Sequence, residues 1–170
     1  MEGLWGQRWR KTAGLGLAVA FLAAAGPAQA TPTFEYGHTR LQAGLYTTHF
    51  GSNDDYNNRQ DLIGVEVHDT ARWFAGAVWF RNSFDQPTWY FYGGREFSFW
   101  RPSEALELRG KLTGGLLRGY QGEFRDKIPF NRYGIAPAIL PSIGVRWNNL
   151  DTDLIVFGTA GAMITLGISF

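Results

Sequence analysis

The stretch Gly161–Phe170, GAMITLGISF, decides what kind of fold the chain can form. Ala162, Ile164, Leu166, Ile168 and Phe170 share one face of an extended segment, and Met163, Thr165, Gly167 and Ser169 share the other. A period of two is the mark of a strand with unlike faces, whereas a helix would mix these residues on every side. The period recurs upstream. Leu106, Leu108, Leu112 and Leu116 fall on one face with Gly110 and Gly114, while Glu107, Arg109, Lys111 and Thr113 fall on the other.

Beyond Thr31, such segments of about ten residues are separated by Gly, Asn, Asp and Pro clusters, and helical periodicity is almost absent. The expected strands are 38–50, 59–69, 73–82, 88–101, 106–118, 133–147, 151–158 and 161–170. That is about eight, the smallest number that closes a membrane barrel.

The first thirty residues read as an export signal. Arg8, Arg10 and Lys11 form a basic head, residues 12–26 are apolar, and Ala28-Gln29-Ala30 offers a small-x-small cleavage site. The apolar run is about fifteen residues, short of the roughly 20 that a membrane helix needs. Residues 1–30 are therefore expected to be removed, leaving 31–170 as one domain of 170 − 30 = 140 residues. Of 16 basic and 15 acidic residues, three and one lie in the signal, so the remainder carries 13 − 14 = −1 and nothing in its charge points to nucleic acid. The chain has no cysteine, which removes disulfides, thiolate metal sites and a cysteine nucleophile.

An exported, cysteine-free, aromatic-rich chain of this pattern can be a soluble sandwich, a lipocalin-like carrier or a membrane barrel. The carrier needs apolar residues inside and polar ones outside. The alternating segment that ends on Phe170 resembles the closing strand of bacterial outer-membrane barrels, and the aromatics read as interface girdles. Trp73 and Trp100 mark one end, and Trp79, Phe80, Trp89 and Tyr90 mark the other. The expected fold is an all-β, eight-stranded antiparallel transmembrane barrel in the outer membrane of a Gram-negative bacterium. The connections 51–58 and 119–132 are long and polar and face outward, while 69–72, 102–105 and 147–150 are short periplasmic turns.

Inside such a barrel, Glu66, Glu107 and Arg109 form a paired polar floor. Above it, Gly93-Gly94 and Gly114-Gly115 leave space for an apolar slot among Phe91, Tyr92, Leu112 and Leu140. Strict alternation past Gly93-Gly94 aims either Arg95 or Glu96 at lipid. At the outer rim, His49 ends the first strand and Asn82-Ser83 ends the third. Imidazole beside a hydroxyl is the minimum kit for acyl transfer, because it takes a proton from the attacking oxygen near neutral pH. His38 and His68 fall at the opposite end, and no spacing supports a metal site. Asp54, Asp55 and Asp61 suit a solvated turn or a divalent cation between lipid phosphates, and Arg118, Arg125, Lys127 and Arg132 can face such phosphates from the third outer loop.

From about Ala43 to Gly144, and more loosely to Phe170, the ordered motifs resemble the PagP-type lipid A palmitoyltransferases. These motifs are THFGSNDDYNNR (48–59), FRNSF (80–84), FWRP (99–102) and PAILPSIG (137–144). The resemblance implies transfer of a palmitoyl chain from a phospholipid to a hydroxyl of lipid A at the outer leaflet, by a membrane-embedded monomer without a cofactor. It implies His49 as general base, Ser83 as a polar group at the ester, and Tyr56 and Arg59 as loop residues that contact substrate. Gly94 would lie at the bottom of the acyl slot, and Pro141 beside the gap where lipid enters sideways. The family has Asp where this chain has Asn82, which holds no charge but can orient the ring or donate to a developing oxyanion. The family's further gate prolines correspond to Gly158, Gly44 and Gln60, and its amino-terminal amphipathic helix has no room before the first strand. The rival expectation is a non-enzymatic small barrel serving adhesion or membrane stability.

Overall fold

A computed structural model of the chain describes residues 33–50, 57 and 61–170. The expected export signal, together with Tyr56, Arg59, Asp54 and Asp55, lies outside the described residues. The strands are β1 (Tyr36–His49), β2 (Ile63–Asp69), β3 (Trp73–Arg81), β4 (Pro87–Trp100), β5 (Leu106–Arg118), β6 (Ile135–Trp147), β7 (Leu150–Val156) and β8 (Gly161–Ser169). Each pairs antiparallel with the next, and β1 pairs with β8 to close the barrel. The eight expected segments are all present. β2 begins at Ile63, four residues later than expected, and Asp61 and Leu62 precede it without strand structure. Short reversals join β2 to β3, β4 to β5 and β6 to β7 at one end, with Arg72 and Asn148 at positive φ (70° and 55°). The long connections stand at the other end, and the one between β5 and β6 contains a 3-10 turn over Gly122–Lys127.

The faces are the reverse of a soluble barrel's. Leu41, Val65, Phe91, Leu116, Ile139, Val145, Leu154 and Leu166 point outward and are exposed, while Arg40, Glu66, His68, Glu96, Glu107, Arg109, Lys111, Asp151 and Asp153 are buried. A monomer in water rarely exposes more than a few hundred Å² of contiguous apolar surface, and this belt runs around the whole barrel. Trp73, Trp100 and Trp147 girdle the short-turn end and Trp89 the long-loop end. The chain is an outer-membrane β-barrel, and the soluble-carrier expectation fails because its faces are inverted.

The period of two explains the interior. Arg40 and Gln42 on β1, Glu66 and His68 on β2, Glu107, Arg109 and Lys111 on β5, and Asp151 and Asp153 on β7 all fall on the inner face. There they form one ionic network. Arg40 pairs with Asp151 and with Asp153 at 3.0 Å. Arg109 reaches Glu96 at 2.7 Å and both Asp151 and Asp153 at 3.0 Å. Lys111 holds Glu66 at 2.7 Å, and Glu66 also bonds His68 at 2.9 Å. Gly144 is required here, since a Cβ would run into the Asp153 carboxylate. Such a network fills the short-turn half of the barrel with charge and blocks a channel.

Four expected positions are corrected. Tyr90 is buried and Phe80 packs on the interior cluster, so neither belongs to a girdle. Phe91 and Leu112 face lipid at 54% and 49% exposure and cannot line an interior slot with Tyr92 and Leu140. The outward residue past Gly94 is Arg95, whose guanidinium lies over Trp73 and Phe97 at 5.2 and 5.8 Å, while Glu96 turns inward to the network. Arg95 therefore sits at the aromatic girdle, where a long cationic side chain reaches headgroups.

Candidate active site at the outer rim

His49 owes its aim to a bulge. Arg40 and Gln42 point inward, so strict alternation would send the odd-numbered His49 to lipid. The pairing of β1 with β8 slips between Gly44 and Tyr46, after which Thr47 and His49 point in. His49 then lies opposite Gly161 of β8, whose missing side chain leaves room, since a Cβ there would strike the Thr48 carbonyl.

Across the mouth, β3 ends in a tight turn built by Asn82. Its backbone N–H donates to Gln86 O at 3.0 Å, and its carbonyl accepts from Asp85 N–H at 2.9 Å. Its side-chain Oδ1 accepts from Phe84 N–H at 2.9 Å and from Gln86 N–H at 3.0 Å. Asp85 takes a left-handed φ of 59° to close the turn. Ser83 is carried at its tip, and its Oγ lies 2.7 Å from His49 Nε2. With Nε2 unprotonated, the serine hydroxyl donates to it, which is the contact that nucleophile and base require.

Asn57, part of the THFGSNDDYNNR motif, and Tyr120, which the sequence did not single out, complete the rim. Asn57 donates its backbone N–H to Ser83 O at 2.8 Å, and its side-chain amide reaches Asn82 O at 3.4 Å and Asp85 Oδ1 at 3.3 Å. This ties the first outer loop to the β3–β4 turn. Burial raises the Tyr120 hydroxyl above its usual pKa, and hydrogen bonding to the Ser83 side chain and backbone draws it partly back. Phe84 stacks on Phe124 at 4.2 Å and meets Tyr120 edge-on at 6.1 Å, while Gln121 N–H donates to Gln86 Oε1 at 3.0 Å. The β5–β6 loop is thereby clasped over the same turn. Tyr120 follows the end of β5, where period two no longer speaks, and no local sequence signal marks it.

Beneath this rim lies a cavity of about 610 Å³, within the roughly 300–1,000 Å³ of ligand sites. Leu62, Val78, Phe80, Leu117, Leu140, Phe157 and Met163 form apolar walls, and His49, Asn82, Ser83 and Tyr120 stand at the mouth. Its floor is polar. Tyr92 Oη donates to Glu66 Oε1 at 2.9 Å, Gln42 Nε2 donates to Tyr92 Oη at 2.8 Å, and Lys111 braces Glu66 from below.

The structure thus brings His49, Asn82 and Ser83 together. Gly94 does not line the cavity. It lies beyond Tyr92 along β4, and a Cβ there would meet the Phe74 ring and Leu112 O, each at 2.6 Å. Pro141 faces lipid at the level where β6 and β7 part, since their pairing stops at Ser142↔Ile155. From Ile135 to Pro141, β6 has no β7 partner, and neither Pro137 nor Pro141 can donate a ladder hydrogen bond. His38 and His68 stack at 4.4 Å on the short-turn side, and no group of His, Asp and Glu suited to a metal ion occurs among the described residues.

No family model matches the chain, and no curated protein does. Among solved structures, it is similar to the Yersinia pestis outer membrane protein Ail, whose backbone structure was determined in a phospholipid bilayer nanodisc. The identity is 14%, over 79% of this chain and 99% of that one, with a TM-score of 0.39.

Proposed function

We propose that the chain is an outer-membrane acyltransferase that moves a palmitoyl chain from a phospholipid to a hydroxyl of lipid A. The observation that carries this reading is the 2.7 Å contact between His49 Nε2 and Ser83 Oγ at the mouth of an apolar cavity in a membrane barrel. An acyl chain in that cavity would hang from the mouth, with its ester beside the imidazole. The unpaired edge of β6 supports a sideways path, because backbone without a partner is tolerated at membrane depth only where it borders protein or a cavity. A phospholipid can pass its chain there without leaving the bilayer.

In the transfer, the acceptor oxygen bonds to the ester carbon while His49 takes its proton. The intermediate collapses, the bond to glycerol oxygen breaks, and the leaving oxygen receives the proton back from His49. Ser83, held by Asn57 and Tyr120, positions the imidazole and the reacting ester. No step needs a redox partner or a cofactor. The test is to mix the purified barrel in detergent with an acyl-labelled phospholipid and lipid A. Label should appear on lipid A with an equal amount of lysophospholipid. If neither product forms, the reading fails, and a barrel serving adhesion or membrane stability takes its place.

A further inference from the structure

Asn82 holds a donor that its fold does not use. The residue is 2% exposed and lines the cavity mouth next to Ser83. Its Oδ1 is pinned by two backbone N–H groups, from Phe84 and Gln86, and these fix which end of the amide is oxygen. The other end, Nδ2, is buried and has no hydrogen-bond partner among the described residues. A buried amide without a partner is rare and calls for an explanation. Nδ2 has no bond to the imidazole, so Asn82 does not orient His49. Asn82 is the chain neighbour of Ser83, whose Oγ touches His49, so this donor belongs to the residue adjoining the point where a carbonyl would be attacked.

Resting on the acyl-transfer reading above, we propose that Asn82 Nδ2 donates a hydrogen bond to the carbonyl oxygen of the donor ester as that oxygen becomes an oxyanion. When the acceptor oxygen bonds to the ester carbon, the carbonyl electron pair moves onto oxygen, and the pre-fixed amide meets the charge there. When the bond to glycerol breaks, the pair returns and the hydrogen bond weakens. Donors fixed in advance where charge develops raise kcat more than they tighten substrate binding. This role is closed to a carboxylate, which only accepts. Asn at this position therefore inverts the chemistry of the Asp in the family that the sequence resembles.

Asn82→Asp separates the two chemistries, since its carboxylate can still accept from Phe84 and Gln86 and keep the turn. Steady-state transfer from phospholipid to lipid A is measured in detergent for the folded, heat-modifiable full chain. Asn82→Asp should lower kcat about 10²–10³-fold with KM within about threefold. A thionoester donor, whose sulfur accepts hydrogen bonds poorly, should shrink the gap between wild type and variant to under tenfold. If Asn82→Asp does not fold, Asn82→Ser, whose hydroxyl can still accept in the turn, is assayed identically. An Asn82→Asp enzyme with kcat within threefold of wild type overturns the proposal and leaves acyl transfer standing. An inactive wild type overturns both.

Discussion

At the residue scale, the rim divides its labour by chemistry. On the proposed function His49 accepts the proton, and His49→Ala should reduce acyl transfer about 10²–10⁴-fold while the barrel keeps its heat-modifiable gel mobility. Full activity in that variant would show that another group is the base. Tyr120 contributes a neutral hydroxyl, because burial raises it above the usual value of about 10 and keeps it protonated through neutral pH. Stability that depends on Tyr120 is complete below about pH 10 and is lost as pH rises through its folded value. A melt followed by tryptophan fluorescence should therefore show alkaline destabilisation that Tyr120→Phe diminishes, and identical alkaline limbs would contradict this. His49 and Ser83 were legible in the sequence as a candidate pair, because strand ends and long loops place them on one side. Tyr120 was not legible, and Asn57 was legible only as part of a loop motif, because loop clasping depends on contacts between segments far apart in the chain.

At the element scale, the bulge in β1 is the device that turns a lipid-facing position into one at the cavity mouth. Deleting Thr48 should put His49 at a lipid-facing place in β1 and abolish transfer, whereas deleting Leu45, the unpaired residue, keeps His49 opposite Gly161 and should spare it, with the barrel closed by the β1–β8 ladder in both. Retained transfer in the Thr48 deletion would mean that the aim of His49 does not matter. The open edge of β6 makes a separate claim. Ile139 is 73% exposed and borders both lipid and cavity. Ile139→Trp should slow transfer severalfold from a bilayer donor and much less from a micellar one; equal effects would argue against a sideways path. Strand boundaries were readable to within a few residues because turn residues punctuate period two. Facing was readable only in half of each strand. In the short-turn half the interior is ionic and the exterior apolar, so Glu107, Arg109 and Lys111 reveal their side. In the outer half an apolar cavity and an apolar membrane flank the same strand, and hydrophobicity cannot separate Tyr90 from Trp89 or Tyr92 from Phe91.

At the scale of the whole molecule, charge and apolar surface are stacked along the barrel axis. The ionic half anchors the strands, and the apolar half stays open beneath the rim. Arg109 on β5 pairs with Glu96 on β4 and with Asp151 and Asp153 on β7, so it ties β7 to strands that it does not adjoin. Arg109→Leu strands several buried carboxylates and should destabilise the folded barrel by about 3–5 kcal/mol, read by urea unfolding in lipid vesicles. A change below about 1 kcal/mol would mean that water already enters the floor. This layering also explains where Gly94 stands. The polar shelf of Tyr92, Gln42 and Glu66 ends the cavity before the chain reaches it.

On the proposed function, the rim and cavity together acylate lipid A. The most direct measurement is the mass spectrum of lipid A from a host without an acyltransferase of this kind, expressing either the wild type or His49→Ala. The wild type should add one palmitoyl group and His49→Ala none. Unchanged lipid A from cells in which the wild type is folded in the outer membrane would contradict the account.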